Sequence, residues 1–327
     1  MHHQQSVRYG TGFDITDIIG KYKGKQLDDL FENLKVISNG LGECLELEWE
    51  CEEVPAALNL QKTKKNIIKN LKTVYNVGTC TERQLMQRGV KTLFDLKGHL
   101  RFGNDAKKVI QQIKRKDFKA LSENRYLYDL DTSFCFNIED LLFIDIETLG
   151  VYDSQIIVVG VGYYEETRYK IKEYFARTLE EEISICEHLR NEILPHFNCF
   201  ISYNGKSFDI PFLANRYLYY FDENPMISEE DVPYKDTNTK FGHIDLYHNC
   251  RRIFKGEFQN YQLTTIEEIL LNWERKNELP SHLVGMCYRK YQRDSNKYIG
   301  LIKEVIDHNY YDIYSMPLIL DKLLKNQ

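Results

Sequence analysis

The chain has 327 residues, a length that suits two domains or one domain with a large extension. Hydrophobic residues make up 43% of it, enough for an ordinary core and too many for a disordered chain. No run of about 18 uncharged apolar residues is present, so no membrane-spanning helix is expected, and the net charge of −6 hides a strong asymmetry along the chain.

Residues 1–60 read as an N-terminal extension of unclear role. Its opening, MHHQQSVRYG, lacks the basic-then-apolar pattern of a signal peptide. The stretch DITDIIGKYKGKQLDDLFENL reads as helical. LGECLELEWECEEV then alternates Leu45, Leu47 and Trp49 with Glu46, Glu48 and Glu50, the period-two pattern of a strand with one charged face. Eight cysteines without a C-x-x-C pair read as reduced thiols of a cytoplasmic protein and do not suggest a zinc site.

Residues 61–120 form a basic region of short helices. They hold 16 Lys and Arg, from Lys62 to Lys119, against Glu82, Asp95, Asp105 and Asp117; the net of +12 leaves −18 for the rest. Such a block is either a solvated helical surface or the footprint of a polyanion. Within it, Val77-Gly78, a helix over Thr81 to Gln87, Gly89-Val90 and a Thr92-capped start resemble a helix-hairpin-helix. In that pattern a glycine turn lets backbone N–H groups approach a phosphate. Asn76 stands where the hairpin's second glycine is usual.

Residues 121–139 read as a connection. From residue 140 the pattern changes to buried strands alternating with helices. Strands are expected over LLFIDIET (141–148), IIVVGVGYYE (156–165) and RYKIKEYFA (168–176), with the last two in an antiparallel meander. An amphipathic helix follows, with Ile183, Cys186, Leu189, Ile193 and Leu194 on one face. Then come a strand CFISYNG (199–205), a helix SFDIPFLANRYLYYF, a strand GHIDLYH (242–248), and helices over QLTTIEEILLN and 297–326. This order predicts an α/β fold, a mixed sheet flanked by helices.

Three segments bring carboxylates to that sheet. Asp145 and Glu147 are two apart in a strand and share a face. Two like charges at a buried edge resist desolvation, and a hard divalent cation suits an all-oxygen pair. Asp209 opens a helix after NGKSF, where it either caps the helix or faces the same cation site. His308 and Asp312 are one turn apart on one helical face, a spacing equally open to a surface contact.

In order, the segments D-I-E, N-G-x-x-F-D-x-P-F-L and H-N-x-x-D-I-x-S resemble the DEDD (DnaQ-like) 3′–5′ exonuclease superfamily, whose fold is RNase H-like. The resemblance is nearest to the YprB-type RNase H-like exonucleases and covers roughly 140–325. It implies metal-dependent hydrolysis of single-stranded DNA or RNA from a 3′ end. Two Mg2+ or Mn2+ ions would be held by Asp145, Glu147, Asp209 and Asp312, with His308 as general base. In the histidine subgroup the base stands five residues before the last aspartate, a place taken here by Asp307; His308 occupies the position of the other subgroup's tyrosine. Asn204, Gly205, Phe208 and Thr148 are expected to meet substrate, and Phe212 and Tyr217 offer further rings for stacking on bases. His243 and Asp245 read as structural, with Asp245 capping the next helix. A non-catalytic RNase H-like nucleic-acid-binding protein and a structure-specific endonuclease on the same fold are the competing expectations.

Overall fold

A computed structural model describes residues 13–226, 240–276 and 278–326. Its centre is β3 (Leu141–Thr148), the apolar run that carries Asp145 and Glu147. A seven-stranded sheet is built around it in the order β1 (Leu34–Asn39), β2 (Gly42–Cys51), β5 (Arg168–Phe175), β4 (Ile156–Glu165), β3, β6 (Cys199–Ser202), β7 (Gly242–Asp245). Pairing is antiparallel from β1 to β3 and parallel from β3 to β7. This is the mixed sheet that the alternation of strand and helix signals predicts.

Helices cover both faces. α1 (Ile15–Lys21) precedes the sheet, and α2 (Lys62–Lys69), α3 (Thr79–Gln87), α4 (Leu93–Leu96), α5 (Gly103–Arg115) and α6 (Phe118–Ser122) form the basic region. After β5 come α7 (Glu182–His188), α8 (Asp209–Phe221), α9 (Leu246–Ile253), α10 (Leu263–Ile266), α11 (Val284–Arg293) and α12 (Ser295–Lys325). Alternate residues of β3 serve opposite cores, as the pleat requires. Leu141 and Phe143 pack with α9 and α12, whereas Leu142, Ile144 and Ile146 pack with α7 and α8.

The close seating of α12 is written into β4. A Cβ on Gly160 would lie 2.0 Å from Asn309 Oδ1, and one on Gly162 would lie 2.7 Å from Ile313 Cγ2. Two glycines in one strand cost β propensity, and here they let a helix lie almost on the sheet backbone. That contact sets His308, Asn309 and Asp312 over the face of β3 that carries Asp145 and Glu147.

Two departures from the sequence expectations stand out. The helical reading of 14–34 holds only for α1 and a single 3-10 turn at Leu27–Asp29; Leu34 begins β1, which forms a hairpin with β2. The extension therefore adds two strands to the sheet. The acidic face of β2 is matched across the ladder, with Lys172 3.1 Å from buried Glu46 and 3.5 Å from Glu48. The second departure is α11, which sequence reading left unassigned. Its buried stripe is Cys287, Tyr288 and Tyr291, residues that register weakly as an apolar pattern. The connection over 121–139 is fastened to β7: Asp129 accepts the Asp245 N–H at 3.0 Å and meets Lys206 at 2.6 Å.

The basic region has its own apolar cluster, including Ile67, Leu71, Leu93, Val109 and Ile113. Asn76 adopts φ +62°, the left-handed conformation that asparagine tolerates better than most residues. Thr92 caps α4 in a capping box with Asp95.

Candidate active site

Asp145 and Glu147 project from β3 toward α12; Asp145 is half-buried and Glu147 is buried, at 7% exposure. A register shift between Glu147 and Thr148 bends the strand just beyond the pair. β6 stops at Ser202, so the end of β3 outruns its parallel neighbour. The Ile146 N–H there is taken by Asp209 Oδ1 at 3.0 Å. Asp209 thus turns from the start of α8 toward β3, and the N-cap position of α8 belongs to Phe208.

Asn309 donates to Asp145 Oδ2 at 2.7 Å. One residue earlier on α12, His308 Nε2 lies 3.6 Å from Glu147 Oε1 and 3.9 Å from Asp312 Oδ2. Donor atoms of Glu147, His308 and Asp312 all fall within 4.8 Å of one another, the spacing of groups that can share a metal ion. Asp145, Glu147, Asp209, Asp312 and His308 line one open groove of about 640 Å³. Five residues far apart in sequence are therefore brought together.

The electrostatics follow from this crowding. Burial pushes the Asp145 carboxyl well up, and Asp209, Asp312 and Glu147 push it further. Burial likewise raises Glu147 to about 8, although His308 opposes the rise, and raises Asp209 to about 7 against the pull of the Ile146 N–H. For His308 burial acts downward, but Asp312, Glu278 and Glu147 outweigh it and hold the imidazole at about 9. At an effective dielectric near 20, two unit charges ~5 Å apart repel by roughly 3 kcal/mol. Several such pairs cannot all be ionised without a cation among them. The four carboxylates form an all-oxygen donor set that fits hard divalent ions.

Sequence reading did not find the support around this cluster. Arg275, 3% exposed, places Nη1 2.6 Å from Asp312 Oδ1 and 2.7 Å from Glu278 Oε1. Its Nε donates to Glu267 Oε2 at 2.7 Å. Glu278 Oε1 in turn lies 3.2 Å from His308 Nδ1, and Ser281 Oγ 3.2 Å from His308 Nε2. In the sequence Arg275, Glu278 and Ser281 sit in NWERKNELPS, which reads as a charged surface loop and carries no periodic signal.

The expected substrate residues divide. Phe208 is half-buried and lines the groove, as do Thr148 and Asn204. The Thr148 hydroxyl donates to Gly150 O at 2.8 Å, and Asn204, at φ +67°, gives its N–H to Asp245 Oδ1 at 3.0 Å. Gly205 is buried outside the lining, where a Cβ would meet Ser202 Oγ at 2.5 Å; its small size serves packing. Tyr217 is 1% exposed and Phe212 is also buried, so neither ring can stack on a base. Asp245 caps α9 through the Tyr247 and His248 N–H groups, as expected of a structural residue.

The groove also takes Leu149, Val151, Tyr203, Met286 and Arg289, which give it an apolar wall and one arginine. Among the described residues no helix is long and apolar enough to cross a membrane.

Comparison with known proteins agrees with this geometry. Over 184 residues the chain is 27% identical to a protein of Bacillus subtilis (strain 168) described as "Uncharacterized protein YprB". The match takes in 55% of this chain and 41% of the longer relative, so the chain spans less than half of that protein's length. The RNase_H superfamily profile matches residues 142–324, the span from β3 to the end of α12 that holds every acid of the groove. The sheet order, the acidic groove and this match together identify the chain as a member of the RNase_H superfamily.

Proposed function

We propose that this protein is a metal-dependent 3′–5′ exonuclease that shortens single-stranded DNA or RNA. The observation that carries this reading is the convergence of Asp145, Glu147, Asp209 and Asp312 with His308 in one groove, contributed by three motifs in the order of the DEDD exonucleases.

Two divalent cations held by the four carboxylates would supply positive charge to the attacking and leaving oxygens at phosphorus. His308 takes the proton of the attacking water. The same acids that raise its pKa to about 9 keep it protonated at neutral pH. With cations held by those acids, that field would be cancelled and His308 would be left able to accept a proton. Phe208 offers a ring to a base at the groove wall, in the manner of single-strand channels. The groove is open yet recessed at the C-terminal end of β3, inside the sheet, which favours a frayed single strand over a stiff duplex end. The basic region, with the glycine turn at Val77-Gly78, supplies a second surface for the strand backbone in the manner of a helix-hairpin-helix.

The test is digestion of 5′-labelled single- and double-stranded DNA and RNA with Mg2+ or Mn2+. Single strands are expected to shorten stepwise from the 3′ end, and a blocked 3′ terminus to stop the reaction. Internal cuts in blocked substrate would make the protein an endonuclease. Binding without cleavage under every metal would make it a non-catalytic nucleic-acid-binding protein.

A further inference from the structure

We infer that Arg289 binds the phosphodiester one nucleotide upstream of the bond to be cut, so that a strand is cut well only when a second linkage follows the first; this deepens the nuclease reading above and rests on it. Arg289 lies on α11, outside all three motifs.

The first turn of α11 is seated on the chain just beyond β3. A Cβ on Gly285 would lie 2.3 Å from Leu149 O, so only glycine fits there. Arg289 stands one helical turn further along the same face. It is exposed, and its Nη2 donates to that same Leu149 oxygen at 3.2 Å. One of five guanidinium N–H groups is thereby used, and four remain for a ligand. Four carboxylates line the same groove, yet among the described residues Arg289 has no carboxylate partner. Arg216, by contrast, is held 2.6 Å from the buried Glu182 carboxylate. Among the described residues that line the groove, Arg289 is the one lysine or arginine.

Its position decides which phosphate it meets. Cations held by Asp145, Glu147, Asp209 and Asp312 would serve the phosphorus under attack. Leu149 is two residues beyond Glu147, at most about 7 Å of extended chain, so Arg289 stands within a nucleotide step of the acids. A strand that loses its 3′-terminal nucleotide carries its other phosphates on the 5′ side alone. The neighbour that reaches Arg289 is therefore the upstream one. Without a cation there, that phosphate would run along an acidic wall uncompensated. A planar guanidinium suits it through paired N–H donors.

The test pairs Arg289→Gln, whose amide can still donate to Leu149 O, with single strands carrying one neutral methylphosphonate at the second linkage from the 3′ end. The readout is kcat/KM for release of the first nucleotide with Mg2+ or Mn2+. On unmodified strand the variant is expected to lose about 30-fold, the usual worth of a hydrogen bond to a charged group. Wild type should lose about as much on the methylphosphonate strand, and the variant should lose less than about 3-fold more, because both changes remove one contact. The p-nitrophenyl ester of thymidine 5′-monophosphate has no upstream phosphate, and both proteins should cleave it equally. Losses that multiply would overturn the assignment. So would a slower variant on the nitrophenyl ester, which would mean that Arg289 acts on the scissile phosphate or merely ties α11 to the end of β3. Should the wild type cleave neither substrate, the nuclease reading fails; the same cycle read as equilibrium binding by fluorescence anisotropy then decides Arg289 alone.

Discussion

The protein concentrates like charge in two places and handles it in opposite ways. In the groove, four carboxylates are packed against apolar strands and α12, and burial holds the protons of Asp145, Glu147 and Asp209. In the basic region, exposed side chains such as Lys65, Arg88, Lys91, Lys97, Lys107 and Lys114 stand in water; among the described residues of 61–120, the ion pair is Lys108 with Asp105 at 3.0 Å. Solvated lysines repel weakly and need no fixed partner. Buried carboxylates repel strongly and accept only a compact, hard cation at a set distance. On the proposed reading, the groove holds a specific ion for a specific reaction, and the basic surface grips a polyanion without selecting it.

The largest expected effect comes from disarming the buried side. Asp145→Asn keeps the volume and the hydrogen bond from Asn309 but removes a carboxylate from the cluster centre. Hydrolysis should fall at least about 10³-fold, a loss of roughly 4 kcal/mol in transition-state stabilisation. Melting in EDTA should be unchanged or higher, because an acid whose ionisation the site opposes has been replaced by a neutral amide. A variant that loses activity together with stability would show Asp145 to be a packing residue, and the contrast between the two regions would lapse.

A second test uses pH. Glu147 and Asp209 have folded-state pKa values raised to about 8 and about 7. Their contribution to stability is complete below the ordinary carboxylate range and is lost as pH rises through those values. His308, raised to about 9, acts in the same direction: its contribution is complete below the usual histidine value and is lost toward about 9. Without metal, the melting temperature should therefore decline from about pH 5 to about pH 9. With Mg2+ the decline should shrink or reverse, since ions bind the deprotonated site more tightly as pH rises. Identical pH profiles with EDTA and Mg2+ would mean that the acids do not share a cation.

How much of this was legible beforehand follows the same division. β3, β4 and the acids they flank were readable because a buried strand is a continuous apolar run, and an acid inside one is conspicuous. Asp209 and Asp312 were readable only through motif order; locally each passes for a cap or a surface pair. β1 was misread because a short edge strand, half-exposed, has little pattern of its own and gains its shape from pairing with β2. Arg275 and Glu278 were invisible for a different reason. A buried ion network has the composition of a solvated loop, and only the fold shows that NWERKNELPS runs against α12. Gly160 and Gly162 could be seen in the strand, but not that α12 requires them.

The smallest expected effect lies on the solvated side, and it sharpens the comparison most. Arg88, Lys91 and Lys97 are exposed around the Thr92-capped start of α4. Changing all three to alanine should move stability by no more than about 0.5 kcal/mol each, as surface substitutions usually do. If they touch a single strand, each removes a slope of about 0.7 from the log–log dependence of affinity on salt, roughly two in total. The rate at saturating substrate should not change, because the acids that perform the chemistry are untouched. An unaltered salt slope would leave these side chains as a solvated surface, while a lower saturating rate would mean that the basic region also shapes the groove. Only loss of affinity with a preserved rate fits two separate charge concentrations, one for grip and one for chemistry.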